Sequence, residues 1–218
     1  MHGASLLPSP AGHLEILHRE GEGPPAPGLP PAALVCHPHP AHGGTMHNKV
    51  VYRLARALLE RGVSVLRFNF RGVGASTGAW SGGPGERDDI RCALDHLATL
   101  HPGSPLLVAG FSFGAWNGIA VGCEDPRVTR FIGLGLPVGT YAPEPFAGRG
   151  RPLFLLHGEA DTFGSPAQLD AFAAAWDGPC EVSVIRGADH FFEPRLPLVT
   201  AEVQAHLDVT PHQSRRSV

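Results

Sequence analysis

The pentapeptide GFSFG at residues 110–114 places a serine between two glycines, where an apolar run meets a helical pattern. A serine on a sharp strand-to-helix turn exposes its hydroxyl as a nucleophile, and glycines on both sides allow the strand and the helix to pass closely. The same string arises readily by chance in a chain that holds 28 glycines. The assignment of Ser112 as a nucleophile therefore depends on its context.

The residues that a serine nucleophile needs occur downstream in the chain. A serine hydroxyl is a weak nucleophile, so it requires a base and an acid that orients the base. The segment LFLLHGEADTF (153–163) places Asp161 just past one apolar run, and VSVIRGADHFF (182–192) places His190 just past the next. The order serine, aspartate, histidine is that of one known class of triad. Ser112, Asp161 and His190 are therefore the predicted catalytic residues.

Other ionisable residues lie close to the predicted acid and base. Glu159 is an alternative acid, but it follows the apolar run so closely that it reaches outward less easily. Asp189 is a second alternative, although it adjoins His190 and adjacent side chains usually point apart. His157 falls at the end of the apolar run, and we interpret it as a hydrogen-bonded structural histidine.

A histidine-rich stretch, CHPHPAHGGTMHNK (36–49), follows the first long apolar run. Its H-x-H spacing occurs in metal sites, but prolines flank His39 on both sides and carry no N–H group. His39 therefore offers an isolated backbone amide, and we predict that this amide and that of Phe113 bind the oxyanion of the reaction. We expect no metal and no cofactor, and we interpret Cys36 as a small core residue.

The segment RFNFRGVGASTG (67–78) comes close to a dinucleotide-binding fingerprint. Thr77 stands where the third glycine of that fingerprint belongs, and WSGGPG follows where a helix should begin. Nucleotide binding is therefore not expected. We expect Arg71 to fasten this loop through Glu86 or Asp88.

Apolar runs alternate with helical patterns along the whole chain. Short and mostly continuous apolar runs are typical of strands buried on both faces. Their alternation with helices predicts an α/β fold with a mostly parallel sheet and helices on both faces. A leading strand is expected at residues 13–20. The apolar runs lie at residues 33–36, 63–70, 106–109, 131–136, 153–156 and 182–185, and the helical patterns at 50–58, 86–97, 115–122, 165–176 and 196–207.

The composition agrees with one domain of this kind. The chain has 218 residues, of which 43% are hydrophobic and 17% charged, and a net charge of −3. These values favour a globular protein. They exclude a strongly basic surface of the kind that attracts nucleic acids or anionic membranes. No signal-peptide pattern and no run of membrane-spanning length occurs. We expect a cytoplasmic protein with a single domain over residues 1–209 and a disordered tail over 210–218.

With these motifs in place, the chain resembles the α/β-hydrolase superfamily. Within it, the chain is most similar to the small lidless bacterial serine hydrolases related to dienelactone hydrolases and short-chain esterases. The matching motifs are CHPHPAHGGTMHNKVV, LRFNFRGVGAS, GFSFGA, HGEAD and GADHFF. The resemblance implies a sheet with an antiparallel leading strand and ester hydrolysis through an acyl-enzyme. Dienelactone hydrolases carry a cysteine where this chain has Ser112, so their substrate is not transferred.

These motifs predict a carboxylesterase that cleaves small acyl esters through a Ser-His-Asp triad. The segment 137–152 contains four prolines and three glycines, so we expect no helical lid over the site. A thioesterase, amidase, peptidase or acyltransferase would use the same residues, and the fold does not choose among them. A non-catalytic ligand-binding protein on the same scaffold is the alternative from another class.

Overall fold

An eight-stranded sheet forms the centre of the computed structural model, which describes residues 3–141 and 146–208. The strands lie in the order β1-β2-β4-β3-β5-β6-β7-β8. The tail expected over 210–218 lies outside the described residues, and the single domain over 1–209 stays a prediction. The strands are β1 (Ser5–Ser9), β2 (Gly12–Arg19), β3 (Ala32–Cys36), β4 (Ser64–Phe68), β5 (Leu106–Phe111), β6 (Val128–Leu134), β7 (Leu153–Gly158) and β8 (Cys180–Ile185).

The strand directions agree with the predicted fold class. From β4 through β8, each neighbouring pair of strands runs parallel. The leading strand β2 pairs antiparallel with β4, and β1 pairs antiparallel with β2. The mostly parallel sheet with an antiparallel leading strand is therefore confirmed. Because the carboxyl ends of parallel strands meet at one edge, the loops after β3, β5, β7 and β8 lie close together.

Helices cover both faces of the sheet. On one face, α1 and α5 bury residues such as Leu54 and Val203 against the sheet. On the other face, α2, α3 and α4 bury Leu94, Ile119 and Leu169. The strands between them are consequently buried on both sides, as continuous apolar runs predict. The helices are α1 (Lys49–Leu59), α2 (Pro84–Leu100), α3 (Phe113–Glu124), α4 (Pro166–Ala175) and α5 (Leu198–Asp208).

Local polar contacts start two of these helices. The Asn48 side chain accepts a hydrogen bond from Val50 N at 2.9 Å and so caps α1. At α4, Ser165 Oγ accepts from Gln168 N, while Gln168 Oε1 accepts from Ser165 N at 2.9 Å. This reciprocal pair is the capping box that the sequence predicts.

The two edges of the sheet differ from the sequence expectation. The apolar run 182–185 was expected to be buried on both faces, but β8 is an edge strand and Val184 is 39% exposed. The opposite edge strand, β1, is absent from the sequence analysis because SLLPS has little apolar patterning. Pro8 fits there because an edge strand tolerates a residue without an N–H group.

The segment between β6 and β7 was predicted to lack a helical lid. Its described residues, 137–141 and 146–152, form turns and irregular chain and no helix. The described residues of this segment therefore supply no helical lid to the carboxyl edge of the sheet.

The loop after β4 is fastened by an ion pair that the sequence analysis assigned to the wrong partner. Arg71 Nη2 donates to Asp89 Oδ1 at 2.8 Å, and its backbone N–H donates to Asp89 Oδ2 at 2.9 Å. Glu86 instead accepts from Gly83 N at the start of α2, and Asp88 lies on the exposed side of that helix. The Asp89 carboxyl is fully buried, and burial raises its pKa while the Arg71 guanidinium opposes that rise.

We expect Arg71→Ala to lower the free energy of unfolding by about 3 kcal/mol, because it leaves a buried carboxyl without its counter-ion. Arg91→Ala is the matched control, since Arg91 pairs with Asp88 and Glu124 at the exposed surface. Such exposed pairs contribute about 1 kcal/mol or less. Urea denaturation at pH 7 measures the free energy of unfolding of both variants. Equal losses in the two variants would contradict the structural role of the Arg71 pair.

Candidate active site

Ser112 occupies a strained turn between β5 and α3. Its φ is 54° and its ψ is −122°, a conformation that residues with a side chain rarely adopt. The turn is held from both sides, because Ser112 N donates to Leu134 O at 2.9 Å and Ser112 O accepts from Trp116 N at 3.0 Å. This geometry turns the Ser112 side chain toward the carboxyl edge of the sheet.

Glycines on both sides of the serine are required by close backbone contacts. A Cβ atom on Gly110 would lie 2.6 Å from Ala115 N. A Cβ atom on Gly114 would lie 2.5 Å from Cys36 O and would also collide with His37 O. The helix that follows the serine therefore packs directly against the ends of β5 and β3, as the sequence predicts for this turn.

A continuous chain of hydrogen bonds joins the three residues predicted to be catalytic. His190 Nε2 lies 2.9 Å from Ser112 Oγ, and His190 Nδ1 lies 2.7 Å from Asp161 Oδ2. The Asp161 side chain is fully buried, and its second oxygen accepts from Phe163 N at 2.8 Å. With the Nδ1 proton donated to Asp161, Nε2 is the free base that faces the serine hydroxyl.

The two alternative acids have other partners. Glu159 Oε2 accepts from Gly187 N at 2.8 Å. Asp189 Oδ1 accepts from Phe191 N and from Glu193 N, both at 2.9 Å. In the described part of the chain, neither carboxylate bonds to His190. Both instead shape the loop after β8 that carries His190.

His157 has the structural contacts that were expected of it. It is fully buried, and its Nε2 donates to Gly164 O at 2.7 Å. The same nitrogen lies 3.5 Å from Asp161 Oδ2. His157 therefore packs behind the predicted acid and connects it to the loop after β7.

The two residues whose backbone amides are predicted to bind an oxyanion contact each other. The ring centroids of His39 and Phe113 are 5.1 Å apart. The His39 carbonyl accepts from His42 N and Gly44 N, which folds the loop back on itself. Within residues 3–141 and 146–208, no protein group accepts from either His39 N–H or Phe113 N–H. Unused donors beside the serine are what an oxyanion site requires.

His37 fastens this loop with both nitrogens of its ring. Nδ1 donates to Pro38 O at 2.7 Å, and Nε2 accepts from Phe70 N at 3.0 Å. Burial lowers the pKa of His37 to about 4, so its ring is neutral near pH 7. The sequence analysis missed this role, because nothing in the H-x-H spacing distinguishes a structural histidine from a metal ligand.

Potential metal ligands lie close together outside the histidine-rich loop. In the described part of the chain, one group of three, His18, Glu20 and His101, brings its ligand atoms within 4.8 Å of one another. His18 and Glu20 lie at the end of β2 that pairs with the start of β4, at the sheet edge opposite Ser112. Two imidazoles and a carboxylate are donors of the kind that Zn²⁺ accepts. The histidine loop forms no such group among the described residues.

Aromatic side chains line a recess next to the serine and also flank His190. The recess has a volume of about 520 Å³, and its lining includes His39, Phe113, Trp80, Trp116 and Tyr141. Phe163 and Phe191 flank the His190 ring, with ring centroids 4.3 and 5.3 Å from it. Sequence reasoning missed this recess because its walls come from separate loops without periodicity. The recess also includes Gly82, Gly83, Pro84, Arg87, Asp88, Arg91 and Asn117.

Comparison with known proteins relates this chain to one family. The family model described as "Alpha/beta hydrolase domain" matches residues 31–213. An uncharacterised protein of Rickettsia prowazekii is 36% identical over 197 residues, which cover 84% of this chain and 79% of that protein.

Two solved structures are similar over nearly their whole length. An alpha-beta serine hydrolase homologue from Coxiella burnetii is 35% identical, with a TM-score of 0.85 over 95% of this chain and 98% of that one. A serine hydrolase without a lid from Xanthomonas campestris is 31% identical, with a TM-score of 0.83 over 96% of each chain. The lidless architecture predicted from the sequence agrees with these structures.

Among the described residues, no helix is both long and apolar enough to cross a membrane.

The neutral, buried state of His37 predicts a pH dependence of stability. In the unfolded chain the His37 imidazole takes up a proton with an ordinary pKa near 6.5. In the folded chain it takes up that proton with a pKa of about 4. The unfolded state therefore gains protons first as pH falls, and this residue should remove about 3 kcal/mol of stability between about pH 6.5 and pH 4. Urea unfolding at a series of pH values measures the effect.

His37→Gln should flatten that dependence, since an amide accepts a hydrogen bond without titrating. His47→Gln is the control, because His47 is exposed and its replacement should leave the slope unchanged. If the wild-type protein and His37→Gln lose stability in parallel as pH falls, His37 is not the source of the pH dependence.

Proposed function

The chain belongs to the alpha/beta hydrolase domain family, and on that premise we propose that it is a serine hydrolase that cleaves small acyl esters. The observation that carries this proposal is the chain of hydrogen bonds from Ser112 through His190 to Asp161, at 2.9 and 2.7 Å. This chain ends at a serine held with a φ of 54°. A residue with a side chain in this conformation is uncommon, and such strain is characteristic of functional positions.

The first half of the reaction forms an acyl-enzyme. His190 Nε2 takes the hydroxyl proton of Ser112 as Oγ bonds to the acyl carbon, and Asp161 stabilises the imidazolium. The carbonyl oxygen becomes an oxyanion that accepts hydrogen bonds from the amides of His39 and Phe113. The carbonyl re-forms as the bond to the alcohol oxygen breaks, and His190 delivers its proton to that oxygen.

The second half releases the acid. A water molecule loses a proton to His190 Nε2 as its oxygen attacks the acyl carbon of the ester on Ser112. The bond to Oγ then breaks, and the proton returns from His190 to the serine. The cycle consumes one water and gives one alcohol and one carboxylic acid. None of its steps needs a metal or a redox partner.

The nucleophile is assigned to the serine and not to the nearby cysteine. Cys36 is fully buried, and burial raises the pKa of its thiol well above its usual range. A thiol in that state supplies almost no thiolate near pH 7. The described residues of the segment 137–152 supply no helical lid, which supports a small-molecule substrate. The net charge of −3 gives no reason to propose a nucleic-acid or membrane partner.

We expect Ser112→Ala to lower kcat for ester hydrolysis on the order of 10⁴-fold or more, because removal of a triad nucleophile leaves only binding and oxyanion contacts. A fluorophosphonate probe should label the wild-type protein and not the variant. Ser104→Ala, in the turn before β5, is the control and should keep full activity and labelling. Labelling and hydrolysis that persist in Ser112→Ala would move the chemistry to another residue.

We expect Asp161→Asn to lower kcat by about 10⁴-fold, since an amide favours the wrong imidazole tautomer. Glu159→Gln is the matched variant, because it neutralises a carboxylate two residues away that bonds only to Gly187 N in the described structure. It should keep most of the activity. Steady-state kinetics on one ester measures both variants, and the reverse pattern would assign the acid to Glu159.

A further inference from the structure

Two aromatic surfaces lie near the predicted triad, one against His190 and the other in the recess that includes Phe113. The direction of proton transfer distinguishes them. The leaving alcohol must receive its proton from His190, so the alcohol part of the ester lies on the side of that histidine. Phe163 and Phe191 flank His190 there and are 42% and 51% exposed. The acyl substituent must extend away from His190. The recess lined by His39 and Phe113 includes neither His190 nor Ser112, and it adjoins the serine through Phe113, the next residue in the chain. It is therefore the candidate for the acyl side.

The walls of this recess are aromatic. The Trp80 ring lies 5.3 Å from the Phe113 ring and 4.5 Å from the His39 ring, and Tyr141 lies 6.4 Å from Phe113. Trp80 and Phe113 meet at 63°, an edge-to-face arrangement that presents both a ring face and a ring edge. Trp80 is 38% exposed although it is a large apolar residue. An exposed tryptophan in contact with Phe113, the residue that follows the predicted nucleophile, is suited to bind a substrate.

The size and the lining of the recess limit what it binds. A volume of about 520 Å³ is much larger than a methyl group needs. The lining also includes polar and charged residues, among them Asp88 and Arg87, whose Nε donates to Asn117 Oδ1 at 2.9 Å. A long apolar chain that filled the recess would contact these groups at the cost of their hydration. A compact flat ring can contact the aromatic residues of the lining without covering the polar ones.

We propose that this recess is the acyl-binding site and that the acyl group it takes carries an aromatic ring, with Trp80 as the residue that selects it. The inference rests on the proposed function, because it uses the direction of proton transfer from His190. Ring-to-ring contact favours an aryl group over a saturated ring of similar size by roughly 3- to 10-fold in binding. The surface formed by Phe163 and Phe191 is then the binding site for the alcohol part.

Two isomeric esters test the assignment. Methyl phenylacetate carries its ring on the acyl side, and benzyl acetate carries the same ring on the alcohol side. The readout is the ratio of kcat/KM for methyl phenylacetate to that for benzyl acetate, measured on one preparation so that the fraction of active protein cancels. We expect Trp80→Ala to lower this ratio at least roughly fivefold. Phe191→Ala is the matched variant beside His190 and should raise it.

A saturated analogue and a conservative variant complete the experiment. The wild-type protein should prefer methyl phenylacetate to methyl cyclohexylacetate by roughly 3- to 10-fold, and Trp80→Phe should keep most of that preference. No preference for the aryl ester, or an unchanged isomer ratio in Trp80→Ala, would overturn the inference and leave the proposed function intact. Failure of the wild-type protein to hydrolyse any of the three esters would overturn the proposed function itself.

Discussion

The backbone strain at Ser112 is the constraint on which the rest of the site depends. A φ of 54° is unfavourable for a residue with a side chain, so the surrounding structure must hold it. Hydrogen bonds to Leu134 O and from Trp116 N hold the residue on both sides. The contacts at Gly110 and Gly114 allow no other path for the chain. The same close packing brings α3 against the end of β3 and so brings the Phe113 amide beside the loop of His39.

Buried polar residues outside the reaction fix the loops that the reaction uses. His37 fastens the loop of His39 to the end of β4, and Arg71 and Asp89 fasten the loop that leads toward Trp80. His37 and Asp89 are buried, so their bonds satisfy groups that would otherwise be buried without a partner. At the exposed surface, Glu159 holds the loop that carries His190 by accepting from Gly187 N. These contacts hold the loops of the site in position together with the sheet.

Features that come from neighbouring residues in the chain were predictable from the sequence. Features that depend on which way a helical side chain points, or on contacts between distant loops, were not. The elbow at Ser112 was predictable because apolar run, glycines and helix follow one another in the chain. The partner of Arg71 was predicted to be Glu86 or Asp88, and the structure pairs it with Asp89. Each step along α2 turns the side chain by about 100°, so Asp88 lies on the exposed side, while Glu86 is buried but bonds to Gly83 N at the start of the helix. The recess was missed because Trp80 and Tyr141 come from loops with no shared period. The roles of Ser112, Asp161 and His190 stay predictions.

The position of β8 at the edge of the sheet gives the site an uneven local stability. β8 contacts only one neighbouring strand, and its residues are partly exposed, whereas β5 is buried along its whole length. Edge elements with few buried contacts open at lower free energy than central ones. His190, the predicted base, follows this edge strand, while Ser112, the predicted nucleophile, follows the central strand β5. Local opening of β8 would therefore withdraw the predicted base while the predicted nucleophile stayed in place.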